Sequence, residues 1–175
     1  ENTIRNSIIA VFVASLFVML YIIYAFRNIE RSFLYAIAAI LTLIHDVLLV
    51  MGIFIILSLI IGSQVNSIFI VGILTVIGYS VNDTIVIFDR IRENQIINRS
   101  REFIDTVNKS VKESITRSLG TSITTSTVIL SMLLFGGQSL RDFLIVLLLG
   151  VIIGTYSSIF VASNLLILWR YGPKK

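Results

Sequence analysis

The chain has 175 residues, of which 56% are hydrophobic and 14% are charged, and its mean hydropathy is +0.95. Soluble globular domains carry about 25% charged residues, so this composition excludes a soluble domain and indicates an integral membrane protein. The absence of cysteine excludes disulfides and thiolate metal sites. The net charge of +4 would suggest a nucleic-acid partner in a soluble protein, but here we attribute it to basic cytoplasmic loops and predict no nucleic-acid binding.

Five apolar stretches are long enough to cross a bilayer as helices. The spans predicted from them are residues 7–26, 33–60, 67–88, 119–135 and 143–169. These runs exceed the apolar core of a signal peptide, and no small-residue cleavage site accompanies them. The predicted fold is therefore an all-α polytopic membrane helix bundle that forms a single domain.

Basic residues set the expected orientation of these spans. If the chain crosses the membrane five times, 12 of the 14 Lys and Arg residues fall on one side, and only Arg5 and Arg141 fall on the other. Cytoplasmic loops of membrane proteins carry an excess of Lys and Arg, so the basic side is predicted to be cytoplasmic. The N-terminus is then expected outside and the C-terminus in the cytoplasm.

The one long polar loop, between the third and fourth spans, contains a helical pattern in its second half. Phe103, Val107, Val111 and Ile115 recur every four residues among mostly polar neighbours. This pattern predicts a short amphipathic helix over residues 100–116 that lies on the inner membrane surface. Either it connects and anchors two spans, or it docks a partner.

Small residues on the fifth span predict close helix packing. Gly150, Gly154 and Ser158 are spaced by four residues, and such positions let helix backbones approach closely in lipid. We assign them a structural role and no chemistry.

An ionisable residue lies within the third span. Asp83 precedes Arg90, the first residue that can mark the membrane surface, by about two helical turns. A charge at that depth costs on the order of 3 kcal/mol, so it is paired, neutralised or used. Thr75, Tyr79 and Ser80 share the helix face of Asp83, which predicts a polar interior on this side.

A second polar face with a basic end is predicted on the fourth span. Arg117 stands at its cytoplasmic end, and Thr121, Thr124 and Thr125 follow at helical spacing. Such polar faces are expected to contact each other, or water inside the bundle, because contact with lipid would be unfavourable for them. Burial favours a neutral acid and a nearby guanidinium favours a carboxylate, so Asp83 could change protonation as the arginine moves. The alternative is a static ion pair that joins two helices.

His45 and Asp46 lie near the middle of the second span. Adjacent helical residues point about 100° apart, so both cannot line one face. Asp46 is a candidate for a proton path, while His45 is either a hydrogen-bonded packing residue or a relay. No second histidine or carboxylate cluster accompanies them, so no metal site is predicted. No catalytic residue and no cofactor is predicted either.

Four stretches carry a resemblance to a known family. Residues 78–94 (GYSVNDTIVIFDRIREN) resemble the signature of SecF members of the SecD/SecF protein-export family, in the RND superfamily. His45-Asp46, residues 117–125 (RSLGTSITT) and residues 150–158 (GVIIGTYSS) agree with it. The family's first span and the large extracytoplasmic domain after it are missing from this pattern. The five predicted spans would thus be the family's second to sixth.

The resemblance implies a fold, a function and partners. The fold would be an RND-type half-bundle that pairs with SecD about a pseudo-two-fold axis. The function would be coupling of inward proton flow to protein export through SecYEG, without enzymatic activity, with Asp83 and Arg117 as the proton-pathway pair. Implied partners are SecD, the SecYEG translocon, the translocating unfolded polypeptide and membrane lipid, in a bacterial or archaeal cytoplasmic membrane. The alternatives are an RND-like proton-coupled exporter of small molecules and an assembly scaffold.

Overall fold

The structure, a computed structural model, describes residues 2–27, 32–62 and 67–171, and no strand occurs in these ranges. Its helices are α1 (Asn2–Ala25), α2 (Ser32–Ile61), α3 (Ser67–Ile97), α4 (Phe103–Phe135), α5 (Arg141–Ser157) and α6 (Ser163–Tyr171). A 3-10 turn (Gln138–Leu140) precedes α5, and a π-helical turn (Ser158–Ala162) joins α5 to α6 without a break.

Four helical segments among the described residues are long and apolar enough to cross a membrane: Ser32–Ile60, Ile68–Ile97, Phe103–Phe135 and Gln138–Arg170. The last one comprises α5, the π-helical turn and α6. Helix α1 contributes a shorter apolar stretch, Ile9–Ala25. The prediction of an all-α membrane bundle is confirmed.

The predicted surface helix over residues 100–116 is wrong as a separate element. From Phe103 onward these residues form the first half of α4, which continues into the fourth span. Phe103 and Val107 are buried against the other helices, so the apolar face that suggested membrane binding is covered by protein. Helix α3 likewise runs beyond its predicted end at residue 88, to Ile97.

Polar contacts explain why α3 and α4 extend past the apolar spans as an antiparallel pair. The Arg90 Nε donates to Glu113 Oε2 at 2.7 Å. The Asn94 side-chain amide donates to Ser110 Oγ at 3.0 Å and to Glu113 Oε2 at 2.8 Å. If the two helices were apart, these polar side chains would be hydrogen-bonded to water. By bonding to each other instead, they hold the extended parts of α3 and α4 together.

Other basic residues lie at the same end of the bundle. Arg92 Nη1 donates to the carbonyl of Ala25, at the end of α1, across 3.2 Å. The Arg170 guanidinium stacks 4.5 Å from the centre of the Phe103 ring. We call this the basic end, defined by Arg90, Arg92 and Arg170. Predicted cytoplasmic residues Arg31, Lys174 and Lys175 lie outside the described residues.

Two apolar clusters form most of the core. At the basic end, the rings of Phe26, Tyr35 and Phe88 pack on one another with centroids 5.3–6.3 Å apart. A second cluster, farther from that end, joins α2, α3 and α5. On α3, Val81 belongs to the second cluster and Ile87 to the first. The part of α3 between them carries the polar residues described next.

Candidate functional site

Helices α3 and α5 meet at glycines. A Cβ added at Gly72 would come within 2.9 Å of Val146, and one added at Gly154 within 3.2 Å of Ser80. At Gly150 an added Cβ would collide with the Val76 side chain. The close approach brings hydroxyl-bearing positions of α5 within hydrogen-bonding distance of α3.

Asp46 on α2 is fully buried and joins three helices. Its Oδ2 accepts hydrogen bonds from Ser80 Oγ of α3 and from Ser157 Oγ of α5, the latter at 2.7 Å. Its Oδ1 lies 3.0 Å from Nδ1 of His45, whose side chain is 36% exposed. His45 and Asp46 point in different directions, as predicted: the Asp46 side chain is buried and the His45 side chain reaches the surface. With three polar partners, the Asp46 carboxylate is well compensated for the loss of water.

Asp83 on α3 is 3% exposed and has far fewer partners. Thr155 Oγ1 of α5, at 3.3 Å from Oδ2, is its one side-chain hydrogen-bond donor among the described residues. Thr155 also bonds to Ser122 Oγ of α4, which lies 3.3 Å from the Tyr79 hydroxyl. A chain of hydroxyl groups therefore leads from Asp83 through Thr155 to Ser122 on α4, and from there to Tyr79 on α3.

Arg117 is exposed on α4 and makes no ion pair with Asp83 within the described part of the chain. Its positive charge acts on Asp83 through space and not through a direct bond. Asp83 and Arg117, which the sequence suggests as a pair, are therefore not in direct contact in this conformation.

The residues predicted to line a polar interior divide into two groups. Tyr79 and Ser80 take part in the networks of Asp83 and Asp46, as described. Thr75, Thr121 and Thr124 are exposed, and each hydroxyl bonds to a carbonyl one turn back on its own helix. Thr125 is half-buried. The face of α4 that enters the interior is instead the one with Ser118 and Ser122.

Several members of the site were missed by sequence reasoning. Thr84, Ser122, Thr155 and Ser157 are all buried and hydrogen-bonded. Ser158, predicted as a packing residue, lies 2.8 Å from the Thr84 hydroxyl through its own Oγ. For Thr155 and Ser157 the available signal is the run of small hydroxyl residues after Gly154, since the spacing of Gly150, Gly154 and Ser158 predicts only packing.

The backbone of the fifth span is irregular at this point. A π-helical turn begins at Ser158, directly after the donors Thr155 and Ser157. Such turns are rare and are frequent at functional sites. Three buried hydroxyl residues therefore lie within four positions here, Thr155 and Ser157 at the end of α5 and Ser158 at the start of the turn.

The described residues contain no group of three or more His, Cys, Asp or Glu side chains that could hold a metal ion. The site consists of two buried carboxyl groups surrounded by hydroxyl groups, at membrane depth. Intramembrane carboxyl groups of this kind are typical of proton and ion pathways. The fold and the site define the class as a polytopic membrane protein with an ionisable interior.

Comparison with known proteins gives the family. Residues 1–172 match the family described as "Protein export membrane protein SecD/SecF, C-terminal". The chain belongs to this family.

Individual relatives agree with the family match. The chain is 47% identical over 168 residues to the protein translocase subunit SecF of Thermobaculum terrenum, covering 95% of this chain and 53% of that protein. It is 38% identical over 170 residues to the protein translocase subunit SecDF of Thermus thermophilus, covering 97% of this chain and 22% of that one. A crystal structure of SecDF in a super-membrane-facing form matches with a TM-score of 0.86 at 38% identity, covering 98% of this chain and 22% of that chain. The chain thus spans about half the length of the SecF relatives.

Proposed function

We propose that the chain is the membrane part of a SecF-type translocase subunit, and that proton movement through Asp83 drives protein export. The observation that carries this proposal is the state of the Asp83 carboxyl, which is buried yet receives a single side-chain hydrogen bond from the described residues, that of Thr155. Relatives that are named protein translocase subunits support the assignment.

The contrast between the two acids supports Asp83 as the group that titrates. A carboxylate can accept about four hydrogen bonds. In the described part of the chain, Asp46 has three polar partners, while Asp83 has one. Binding of a proton removes the charge of Asp83 and makes its carboxyl a donor, which relieves much of the cost of burial.

Protonation of Asp83 would be transmitted through hydroxyl groups. Thr155 has one hydrogen, which can point to Asp83 or to the carbonyl of Val151 at 2.8 Å. When Asp83 itself donates, Thr155 accepts and turns its hydrogen toward Val151. Ser122 faces a similar choice between Thr155 and the carbonyl of Ser118. A proton on α3 therefore changes the contacts that α5 and α4 make.

Arg117 would supply the opposing charge when Asp83 is ionised. Its exposed side chain can approach or leave the acid, and a guanidinium stays protonated throughout. One proton that crosses the membrane releases about 2.3 kcal/mol per 100 mV, so a few crossings suffice for a domain movement of several kcal/mol.

An exposed polar face provides a place for a SecD-type partner. Thr75 and Asn82 of α3 and Arg117, Thr121 and Thr124 of α4 are exposed in this chain. Lipid cannot hydrogen-bond to such groups, so a second half-bundle or internal water is expected to cover them. The Thermus thermophilus relative is named SecDF, which supports SecD as the partner. SecYEG and the exported polypeptide are proposed partners of the complete assembly.

The bonds of Asp46 favour a structural role for this second acid. Its contacts to Ser80 and Ser157 join α2, α3 and α5, as the scaffold alternative requires. We propose that Asp46 holds the bundle together while Asp83 titrates. The other alternative, an exporter of small molecules, predicts drug hypersensitivity instead of a secretion defect when the gene is deleted.

Replacement of Asp83 by Asn in the full-length protein tests the proposal. The Asp83→Asn variant should assemble normally and lose proton-gradient-dependent export, because an amide keeps the shape but cannot carry a proton. Asp89→Asn is the matched control, since Asp89 lies on the same helix but is exposed and pairs with Arg92 at 2.7 Å. Normal export by Asp83→Asn, measured on a secreted precursor in membrane vesicles, would refute proton coupling through this residue.

A further inference from the structure

A row of hydroxyl residues runs along the buried face of α4. Thr106, Ser110, Ser114, Ser118 and Ser122 recur every four residues, and all five are buried. We call them the α4 hydroxyl row. Because four residues are slightly more than one helical turn, these side chains lie almost in line along the helix, about 6 Å apart.

The row connects the candidate proton site with the basic end. At one end Ser122 bonds to Thr155, which bonds to Asp83. Toward the other end, one turn before the row finishes at Thr106, Ser110 accepts from the Asn94 amide, which also donates to the exposed Glu113. The antiparallel pairing of α3 and α4 makes the row follow α3 between these two points.

The middle of the row lacks partners. Ser118 Oγ is fully shielded and is the one buried side-chain polar atom without a hydrogen bond among the described residues. Ser114, one turn earlier and 6% exposed, has no hydrogen bond from its hydroxyl in the same part of the chain, but unlike Ser118 Oγ its oxygen is not fully shielded. Buried hydroxyl groups are nearly always hydrogen-bonded, to water where protein offers no partner. A single water about 3 Å from each of two oxygens spans the gap of about 6 Å between neighbouring hydroxyls.

We propose that the α4 hydroxyl row binds a file of water molecules and that this file carries protons between Asp83 and the basic end. The inference rests on the proposed function of Asp83. In each step the O–H bond of one donor breaks as a neighbouring water oxygen binds the proton. That water then releases a different proton to the next oxygen. Each hydroxyl of the row orients the water beside it and ends the step unchanged.

Thiol labelling in the full-length protein with its partner tests whether the row is wet. These 175 residues contain no cysteine, so each introduced cysteine is the single thiol in this part of the subunit, and the parent protein gives the background labelling. Inverted membrane vesicles of Ser118→Cys and Ser114→Cys would be treated with Ag⁺, a thiol-reactive cation no larger than a water molecule, and the thiols left unreacted would be measured with a maleimide after denaturation. Lys112→Cys is the exposed control, and Ile129→Cys, 3% exposed on the same helix, is the buried control.

We expect both serine positions to react within about tenfold of Lys112→Cys, because water-filled positions ionise thiols and admit small cations. Labelling of Ser118→Cys as slow as that of Ile129→Cys would overturn the proposal.

A matched pair of variants tests whether protons use the row. Ser118→Thr and Ser118→Val add the same bulk, but only Thr retains a hydroxyl. Proton-gradient-dependent export should be about tenfold faster with Thr than with Val. Equal export by the two variants would overturn the proposal even if both cysteines label. The Asp83→Asn experiment is separate, since normal export there refutes the proposed function without bearing on thiol labelling.

Discussion

Gly150 offers the sharpest test of how closely α3 and α5 must approach. In Gly150→Ala the new methyl group would meet three atoms of the Val76 side chain, all closer than carbon atoms normally allow. Val76 is fully buried and β-branched, so it has no free rotamer to which it can retreat. The helices must move apart, which also lengthens the hydrogen bond between Thr155 and Asp83.

The expected loss of stability follows from two opposing effects. Overpacking of a tight interior costs about 1–3 kcal/mol. Replacement of Gly by Ala within a helix returns up to about 1 kcal/mol. Because the collision involves both methyl groups of Val76, we place the overpacking cost at its upper end and expect a net loss of about 2 kcal/mol. In a protein of this size that lowers Tm by about 4–8 °C.

Thermal unfolding of the purified protein in mild detergent measures this effect. Gly52→Ala is the matched control, because an added Cβ at Gly52 of α2 has no atom within 4 Å. That variant should be as stable as the parent protein or slightly more so. In the double variant Gly150→Ala/Val76→Ala both γ-methyl collisions are removed and only the Cβ contact at 2.8 Å remains, so its loss should be smaller than the sum of the single losses. Additive losses, or a Gly150→Ala variant as stable as Gly52→Ala, would refute the close-contact reasoning.

Three further predictions concern the polar contacts. Asp46→Ala should lower the free energy of unfolding by about 2–4 kcal/mol in the same assay, because it leaves buried hydroxyl donors unpaired. Asp46→Asn should lower it less, and equal losses would argue against the bonds by which Asp46 joins α2, α3 and α5. Thr155→Val removes the hydrogen-bond donor to Asp83 and should slow proton-dependent export several-fold. Thr127→Val is the control and should leave the export rate unchanged, because the exposed Thr127 hydroxyl bonds only to its own helix. Equal export rates of the two variants would exclude a role for the Thr155 hydroxyl. Glu113→Ala removes the bonds between the extended parts of α3 and α4, so tryptic cleavage at Arg99 in inverted vesicles should become several-fold faster. The Tm should change little, because exposed ion pairs contribute about 0–1 kcal/mol to stability. Unchanged cleavage would mean that the Glu113 contacts do not hold α3 and α4 together at the basic end.

Composition and helical spacing are enough to predict the fold class and to select the two buried acids. Long apolar runs have no alternative to helices in a bilayer, because every backbone polar group must be paired within its own segment. An acid two turns inside such a run is conspicuous for the same reason, so Asp83 and Asp46 could be selected without coordinates. The motif of residues 78–94 added the family resemblance, and the match over residues 1–172 bears it out.

Which hydroxyl groups meet those acids depends on how the helices pack, and this could not be predicted from the sequence. Helix α4 carries hydroxyl residues on two faces, one with Thr121 and Thr124 and one with Ser118 and Ser122, and both follow helical spacing. Periodicity states which residues share a face, but the packing of neighbouring helices decides which face is inside. The same reason explains the error at residues 100–116. An amphipathic pattern shows that one side is covered, and whether lipid or protein covers it depends on contacts between residues distant in the chain, such as Asn94 with Ser110.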